Sequence, residues 1–426
     1  MRFPVWQLVL STILVLLTAC SEQKKQQTAE TQSVTPAAPI DTSTTSTPPI
    51  PARPDTTYSH DVAAYLAGQP VSQQSKLQPL TAQPAWQAFA ADANKSWATY
   101  DATRTTKIET WAATELDSVR TASSTIFYPF SGPDLLNVVT MFPASKTYVL
   151  LGLEPVGSVP SASLLENPKL YPAVKASLWS VLNFSFFRTN DMAVELNARS
   201  RKKTPVKNAL DTIATVKPTK EVVLDGTLPL MLLFAARTGH QVQTVRYVQL
   251  DKEGQLLDAD STVAQKPSLK TVPGVEIVML NKDGVEQKVY YFSADISDWK
   301  MGTTNDAVIK YVQGLGELTT YVKSATYLMH KPYFSKVRNL ILEHSNYILQ
   351  DDSGIALKYF RPADWQLTYY GTYKRPINLF ANHYQPAMTT AYADTVHRPR
   401  PLPFGTGYNW RQNDSNLLLA RRQKPL

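Results

Sequence analysis

Between residues 330 and 353 the chain gathers its densest set of groups able to move protons or hold metal: His330, His344, Asp351, Asp352 and Ser353. Adjacent carboxylates in a Gly-terminated turn offer the oxygen ligands that a divalent cation takes. One of them, with its pKa raised, could instead serve as the acid that works against a second carboxylate in glycoside hydrolysis, with His330 as a base. A simpler account competes. Asp-Asp-Ser-Gly is good turn chemistry, and His344 falls on the apolar face of a helix. No third ligand stands at a diagnostic spacing, so the residues point to no metal centre.

A second set lies in Phe127-Tyr128-Pro129-Phe130-Ser131-Gly132-Pro133-Asp134. Ser131 and Asp134 have the spacing of a capping box, with Pro133 in the first turn of a short apolar helix that Pro143 stops. The start of that helix would suit an anion, although a plain capped helix start accounts for every residue; Ser131 and Asp134 here, with Ser353 of the first set, are the candidate ligand-binding residues. Aromatic residues beside polar turns (Trp365, Tyr369, Tyr370, Tyr373, Tyr384, Tyr392 and Trp410) suit a sugar ring, or simply pack a loop-rich segment. Several established patterns are absent from the sequence: His-Glu-x-x-His, Gly-x-Ser-x-Gly and the P-loop. Gly314-Leu315-Gly316 lacks the third glycine of a dinucleotide fingerprint. Two Ser-x-x-Lys tetrads, at Ser200 and Ser297, have no Lys-Thr-Gly to accompany them. No cofactor is expected.

Elements must position these groups. Trp86, Phe89, Ala93, Trp97, Tyr100, Ile108, Trp111, Leu116 and Val119 fall at helical spacings and predict a helical section from Pro84 to Arg120. Thr147–Leu153 is an apolar run of strand length that Glu154-Pro155-Val156-Gly157 closes. Helices are expected over Leu164–Phe187, with a break at Asn167-Pro168, near Val206–Val216, and over Leu228–Arg237 before Gly239. Gln241–Leu250 then alternates with period two, and Val275–Leu280 and Gln287–Ala294 flank a hairpin turn at Asn281-Lys282-Asp283-Gly284. Asn305–Val312 reads as a capped helix, another helix runs through Val337, Leu340, Ile341, His344 and Ile348, and Trp365–Tyr370 reads as a strand. After Pro376 the sequence reads as ordered coil wrapping the fold, with a basic tail at Arg421–Lys424. The expected fold is α+β: a long N-terminal helical section with a central antiparallel sheet, in two lobes of 58–225 and 226–426. Short elements around Ser131-Gly132 and Ser353-Gly354 recur in the same order, a faint sign of duplication.

Composition sets the surroundings. The 426 residues carry a formal charge of +8, spread along the chain apart from Arg199, Arg201, Lys202, Lys203 and Lys207, which read as a solvated loop. The single cysteine, Cys20, leaves no partner for a disulfide and excludes thiol chemistry. It ends a segment that starts with Arg2, continues through an apolar run from Val5 to Leu17 and closes on Leu17-Thr18-Ala19-Cys20. The pattern resembles the lipobox of bacterial lipoproteins, in which residues 1–19 are a signal peptide and the cysteine is acylated. The apolar run is shorter than the roughly 20 residues a spanning helix needs. Residues 20–57 then form a tether too poor in apolar side chains to fold.

The resemblance implies a protein held to a bacterial membrane by lipid. With Ser21 after the cysteine where Asp would favour inner-membrane retention, the expected place is the outer membrane, facing the periplasm. Tyr-Pro-Phe-Ser-Gly-Pro-Asp (128–134), Tyr-Val-Leu-Leu-Gly-Leu-Glu-Pro (148–155) and Leu-Gln-Asp-Asp-Ser-Gly-Ile (349–355) further resemble an uncharacterised family of bacterial exported proteins and lipoproteins, which brings no activity with it. The expected function is binding or scaffolding of an envelope component, a cell-wall or other envelope glycan or a protein, and not nucleic acid. The rival is an envelope hydrolase acting on a glycan through Asp351, Asp352 and His330.

Overall fold

Tyr148, Val149, Leu150 and Leu151 are four consecutive side chains with no solvent exposure. A strand buries its side chains in succession only when both faces of its sheet are covered. These residues belong to β2, Thr147–Gly152, near the centre of the sheet. The computed structural model describes residues 56–175, 178, 224, 226–261, 270–303, 305–409, 414–424 and 426. Cys20, the tether up to residue 55, the basic cluster at 199–207, the helix expected near 206–216 and Trp410 lie outside the described residues.

β2 pairs in parallel with β1, Thr125–Tyr128, and with β6, Glu286–Ser293. β1 pairs in parallel with β7, Leu318–Val322, which pairs in parallel with β8, Ser345–Gln350. Antiparallel strands extend both flanks. β5 (Val272–Leu280), β3 (Gln241–Leu250) and β4 (Leu256–Asp258) lie beyond β6, and β10 (Asn416–Arg422) and β9 (Trp365–Gly371) lie beyond β8. The full order is β4-β3-β5-β6-β2-β1-β7-β8-β10-β9. The fold is α+β, and its sheet is mixed where an antiparallel one was expected. β1 and β2 come from before residue 225 and stand between β6 and β7, so both expected lobes contribute to one sheet.

Alternation along the strands sends side chains to two separate cores. Ile126, Tyr128, Tyr148 and Leu150 face a core built on α1 (Thr56–Leu66), α3 (Pro84–Tyr100), α4 (Thr106–Glu115), α6 (Leu135–Met141) and α8 (Leu228–Arg237). Phe127, Val149 and Leu151 face the other, built on α9 (Asp306–Gln313) and α10 (Ser335–His344). The short helices α2 (Gln78–Thr81), α5 (Asp117–Ala122) and α7 (Ala162–Leu165) complete the first layer. No helix among the described residues is long and apolar enough to cross a membrane.

Four local differences have physical causes. A π-turn at Asp101–Thr105 separates α3 from α4, and its Arg104 donates to the Gly405 carbonyl at 3.1 Å. A bulge between Val242 and Thr244 breaks the alternation of β3, so Val245 shares a core with Val242. The helix expected to run through Ile348 stops at His344, because Ile348 is needed in β8. After Pro376 the chain is not coil throughout. It forms α11, Pro386–Tyr392, and then β10, which contains Arg421 and Arg422.

Gly371 ends β9 with φ +78°, and a Cβ there would collide with the Ser415 carbonyl that precedes β10. Gly371→Ala should therefore lower the unfolding free energy by at least about 2 kcal/mol, read from urea denaturation.

Candidate functional site at the carboxyl ends of the parallel strands

Taken in chain order, the parallel strands are β1, β2, β6, β7 and β8, and across the sheet they stand 3-2-1-4-5. The direction of succession reverses between β1 and β7. Loops leaving the carboxyl ends of strands diverge at such a reversal, and ligands of open α/β sheets bind there. Ser131, Gly132 and Asp134 follow β1, Glu154 follows β2, Lys323 and Ser324 follow β7, and Asp351, Asp352 and Ser353 follow β8. The topology brings together Asp134 and Asp351–Ser353, more than two hundred positions apart in sequence.

Asp134 and Lys323 meet at the reversal itself. The Lys323 Nζ lies 3.0 Å from Asp134 Oδ2, and both side chains are almost wholly buried, at 6% and 2% exposure. Tyr128 donates its hydroxyl to the same Oδ2 at 3.0 Å. Asp134 Oδ1 accepts from the Asn137 backbone N–H at 3.1 Å and from the Asn137 side-chain amide at 2.8 Å. Asp134 is thus itself the N-cap of α6, and the expected Ser131–Asp134 capping box does not form. Ser131 instead folds back on β2, donating through its backbone N–H at 2.9 Å and its hydroxyl at 3.1 Å to the Leu151 carbonyl. The Gly132 N–H reaches the same carbonyl at 3.4 Å. These donors are spent, and a carboxylate already occupies the helix start. The site is closed to an anion.

Asp351, Asp352 and Ser353 are 1–3% exposed. Asp351 Oδ1 accepts from the Ser353 N–H at 2.9 Å and from its hydroxyl, while Oδ2 is buried without a hydrogen-bond partner among the described residues. The Ser324 N–H donates to Ser353 Oγ at 2.8 Å, which joins the ends of β7 and β8. Asp352 accepts from the Tyr327 hydroxyl and, at 3.2 Å, from the Asn416 amide at the start of β10. Gly407 closes over Asp351, since a Cβ there would collide with Oδ2. Loss of hydration raises the pKa of both aspartates, and the Asp351 charge adds to the effect on Asp352, which is pushed up to about 7.

The lid over this pair holds backbone strain. Thr326 and Tyr327 both adopt left-handed conformations, with φ of 50° and 53°. The Thr326 N–H donates to the Tyr408 hydroxyl at 2.7 Å, and the Tyr327 ring stacks on His383 at 5.0 Å and on Tyr408 at 5.6 Å. His330 joins the cluster against the Asp352 and Gly354 backbone. Burial, with His383 beside it, lowers its pKa to about 4, so it is a neutral imidazole near pH 7. His344 does not join. It precedes β8 while Asp351 follows it, which puts them at opposite edges of the sheet, roughly 20 Å apart at a strand's rise per residue. Among the described residues no group of three or more His, Cys, Asp or Glu could hold a metal ion.

Glu154 differs from the other carboxylates. It is half-buried, and no side-chain donor reaches its carboxylate among the described residues; the groups that do are the Leu153 and Glu154 N–H. Two glycines make room for it. A Cβ on Gly132 would lie 3.4 Å from the carboxyl carbon and both oxygens, and one on Gly152 would lie 2.5 Å from Oε2. The Tyr291 hydroxyl fixes the turn by donating to the Glu154 carbonyl at 2.8 Å. Enclosure raises the pKa of this glutamate despite those backbone contacts. In the sequence Glu154 reads as punctuation after a strand, although an acidic residue directly after a buried apolar run was the available signal. Lys323 had no comparable signal, because Leu-Thr-Thr-Tyr-Val before it is half polar.

Two stability measurements check this arrangement. Lys323→Met should cost about 3–5 kcal/mol by leaving the Asp134 charge buried beside an apolar chain, and adding Asp134→Asn should recover part of the loss. Asp352 is raised in the fold, so the native state holds more protons than the unfolded chain between their two pKa values, and its contribution grows as pH falls from 8 to 6. His330, depressed in the fold, opposes it below about pH 6.5. Urea midpoints at pH 8 and pH 6 should show Asp352→Asn losing about 1 kcal/mol of acid stabilisation relative to wild type. No protein-family model matches the chain, and comparison with curated proteins and with solved structures returns no match.

Proposed function

We propose that the chain is a lipid-anchored protein of the bacterial cell envelope that binds a sugar-like, hydroxyl-rich ligand without turning it over. The observation that carries this reading is Glu154, half-buried, whose carboxylate no side-chain donor reaches among the described residues and which lies beside Gly132 and Gly152 at the carboxyl edge of the parallel strands. A carboxylate with free lone pairs seeks donors, and two adjacent hydroxyls of a sugar ring supply two at once. In doubly wound sheets an acidic side chain at this position serves a ribose in that way. A phosphate is disfavoured beside it, since Ser131 and Gly132 donate to Leu151 and Asp134 fills the start of α6.

The non-catalytic reading draws support from the other carboxylates. A glycosidase sets two carboxyl groups on either side of its bond. Asp134, Asp351 and Asp352 are buried and engaged in pairs and hydrogen bonds that hold loops together. The N-terminal lipobox pattern at Cys20 supplies the location and the attachment.

Calorimetric titration of the full chain in detergent, with N-acetylglucosamine and adenosine as separate probes, tests this reading and tells a glycan sugar from a nucleoside ribose. Binding of the acetylated sugar, weakened about tenfold or more by Glu154→Gln, is expected. Binding of neither probe, or binding indifferent to Glu154→Gln, would overturn it.

A further inference from the structure

Lys323 stands apart from the other lysines. It is the only lysine buried among the described residues, and pairs such as Lys175–Asp92 and Lys310–Glu253 lie at the surface. Its Nζ reaches Asp134 at 3.0 Å beside aromatic side chains of the first core. The Tyr321 ring centre is 5.6 Å from that nitrogen, and the Tyr128 ring packs on Tyr321 at 4.8 Å. With one cysteine in the chain, no internal disulfide can join these loops.

A second carboxylate stands next to the pair. β7 and β8 pair Val322 with Gln350, and the Asp351 N–H donates to the Val322 carbonyl at 3.4 Å. One residue further along that register, Lys323 and Asp351 are neighbours across two parallel strands, with backbones about 5 Å apart. Alternation puts both on the face of Tyr321 and Leu349, toward the first core. The Lys323 charge acts on Asp351, whose Oδ2 is buried and accepts no hydrogen bond among the described residues.

Away from water, an ammonium and a carboxylate reduce their desolvation cost when one proton crosses the hydrogen bond, leaving an amine against a carboxylic acid. An amine held there is a nucleophile already in place. The Asp134 carboxyl is polarised for attack. The Asn137 backbone N–H and side-chain amide donate to Oδ1 at 3.1 and 2.8 Å, an arrangement that stabilises a developing oxyanion. Tyr128 donates to Oδ2, the oxygen facing Lys323, at 3.0 Å.

We propose that Lys323 and Asp134 condense into an amide that ties the end of β7 to the start of α6, with Asp351 as the proton carrier. The Nζ–Cγ bond forms and the Cγ–Oδ2 bond breaks. One ammonium proton passes directly to Oδ2. A second goes from Nζ to Asp351 and on to Oδ2, which departs as water. Asp351 ends as it began, the third proton stays on the amide nitrogen, and no oxidant or cofactor is consumed. Oδ1, now the amide oxygen, still accepts from Asn137 and caps α6. Burial makes Asp351 take up a proton more readily than a hydrated carboxylate does, which suits a carrier. A link between positions 134 and 323 closes a long loop and so restricts the unfolded chain, as a disulfide would.

The test is tryptic peptide mapping by mass spectrometry of the full chain purified in detergent. Trypsin does not cut after an acylated lysine. Segments 121–146 and 311–336 should therefore appear as one species, lighter than their sum by one water and uncut after Lys323. Lys323→Arg keeps the charge without the amine and should show no link. Asp351→Asn keeps an acceptor for Ser353 but carries no proton, and should lower the linked fraction at least about tenfold. Asp351→Ala should do the same and serves if the Asn variant does not fold by circular dichroism. Separate peptides cut after Lys323 in the folded wild type would leave an ion pair and nothing more, and overturn the proposal. A link as complete in the Asp351 variants as in wild type would overturn the role of Asp351.

Discussion

Burying two opposite charges is tolerated only where they are close and their remaining hydrogen-bonding capacity is met. The Asp134–Lys323 pair meets that condition at the point where the parallel strands reverse their order. Asp134 starts α6 and receives the Tyr128 hydroxyl, while Lys323 extends from the end of β7, so one ion pair fixes the divergence of two neighbouring loops. Ser131 and Gly132 are held on the Leu151 carbonyl next to it. With that turn set, Gly132 has only its Cα to place against Glu154. The placement of Glu154 thus depends on the buried Asp134–Lys323 pair.

The same edge shows how carboxylates of equal chemistry are put to different uses. Asp351 and Asp352 lie beneath Gly407, and their bonds to Ser353, Tyr327 and Asn416 clasp β8, the Thr326–Tyr327 turn and β10. A strained turn persists when its surroundings over-determine it, and here stacked His383 and Tyr408 rings supply that constraint. His330 completes the enclosure as a neutral ring. These residues form a latch that keeps the C-terminal segment on the sheet. The Glu154 carboxylate joins no such side-chain bonds among the described residues.

Much of the fold is legible in the sequence where the signal is local. The turn Asn281-Lys282-Asp283-Gly284 joins β5 to β6, with Asn281 Oδ1 accepting from the Asp283 and Val285 N–H groups. The apolar run at 147–153 is a strand. The parallel centre is less legible, because pairing of β1 with β7 links Ile126 to Thr319 and nothing local encodes that contact. Ile348 sits at helical spacing from His344 and is nevertheless taken by β8, a case of tertiary packing overriding periodicity. In the site, residue types singled out Asp134, Asp351, Asp352, Ser353 and His330, and the structure brings these together. Spacing could not separate a latch from a binding group, since that distinction rests on what covers each side chain. It also passed over Lys323, whose role comes from Asp134, far away in the chain.

The central claim is that Glu154 is an enclosed carboxylate awaiting hydroxyl donors. Carbon-13 NMR of the carboxyl groups, with Glu154 assigned by its Gln variant, observes that group directly. Glu154 should titrate above the ordinary glutamate range, and its resonance should move when N-acetylglucosamine is added. A Glu154 that titrates like an exposed glutamate and does not respond to the sugar would contradict the account.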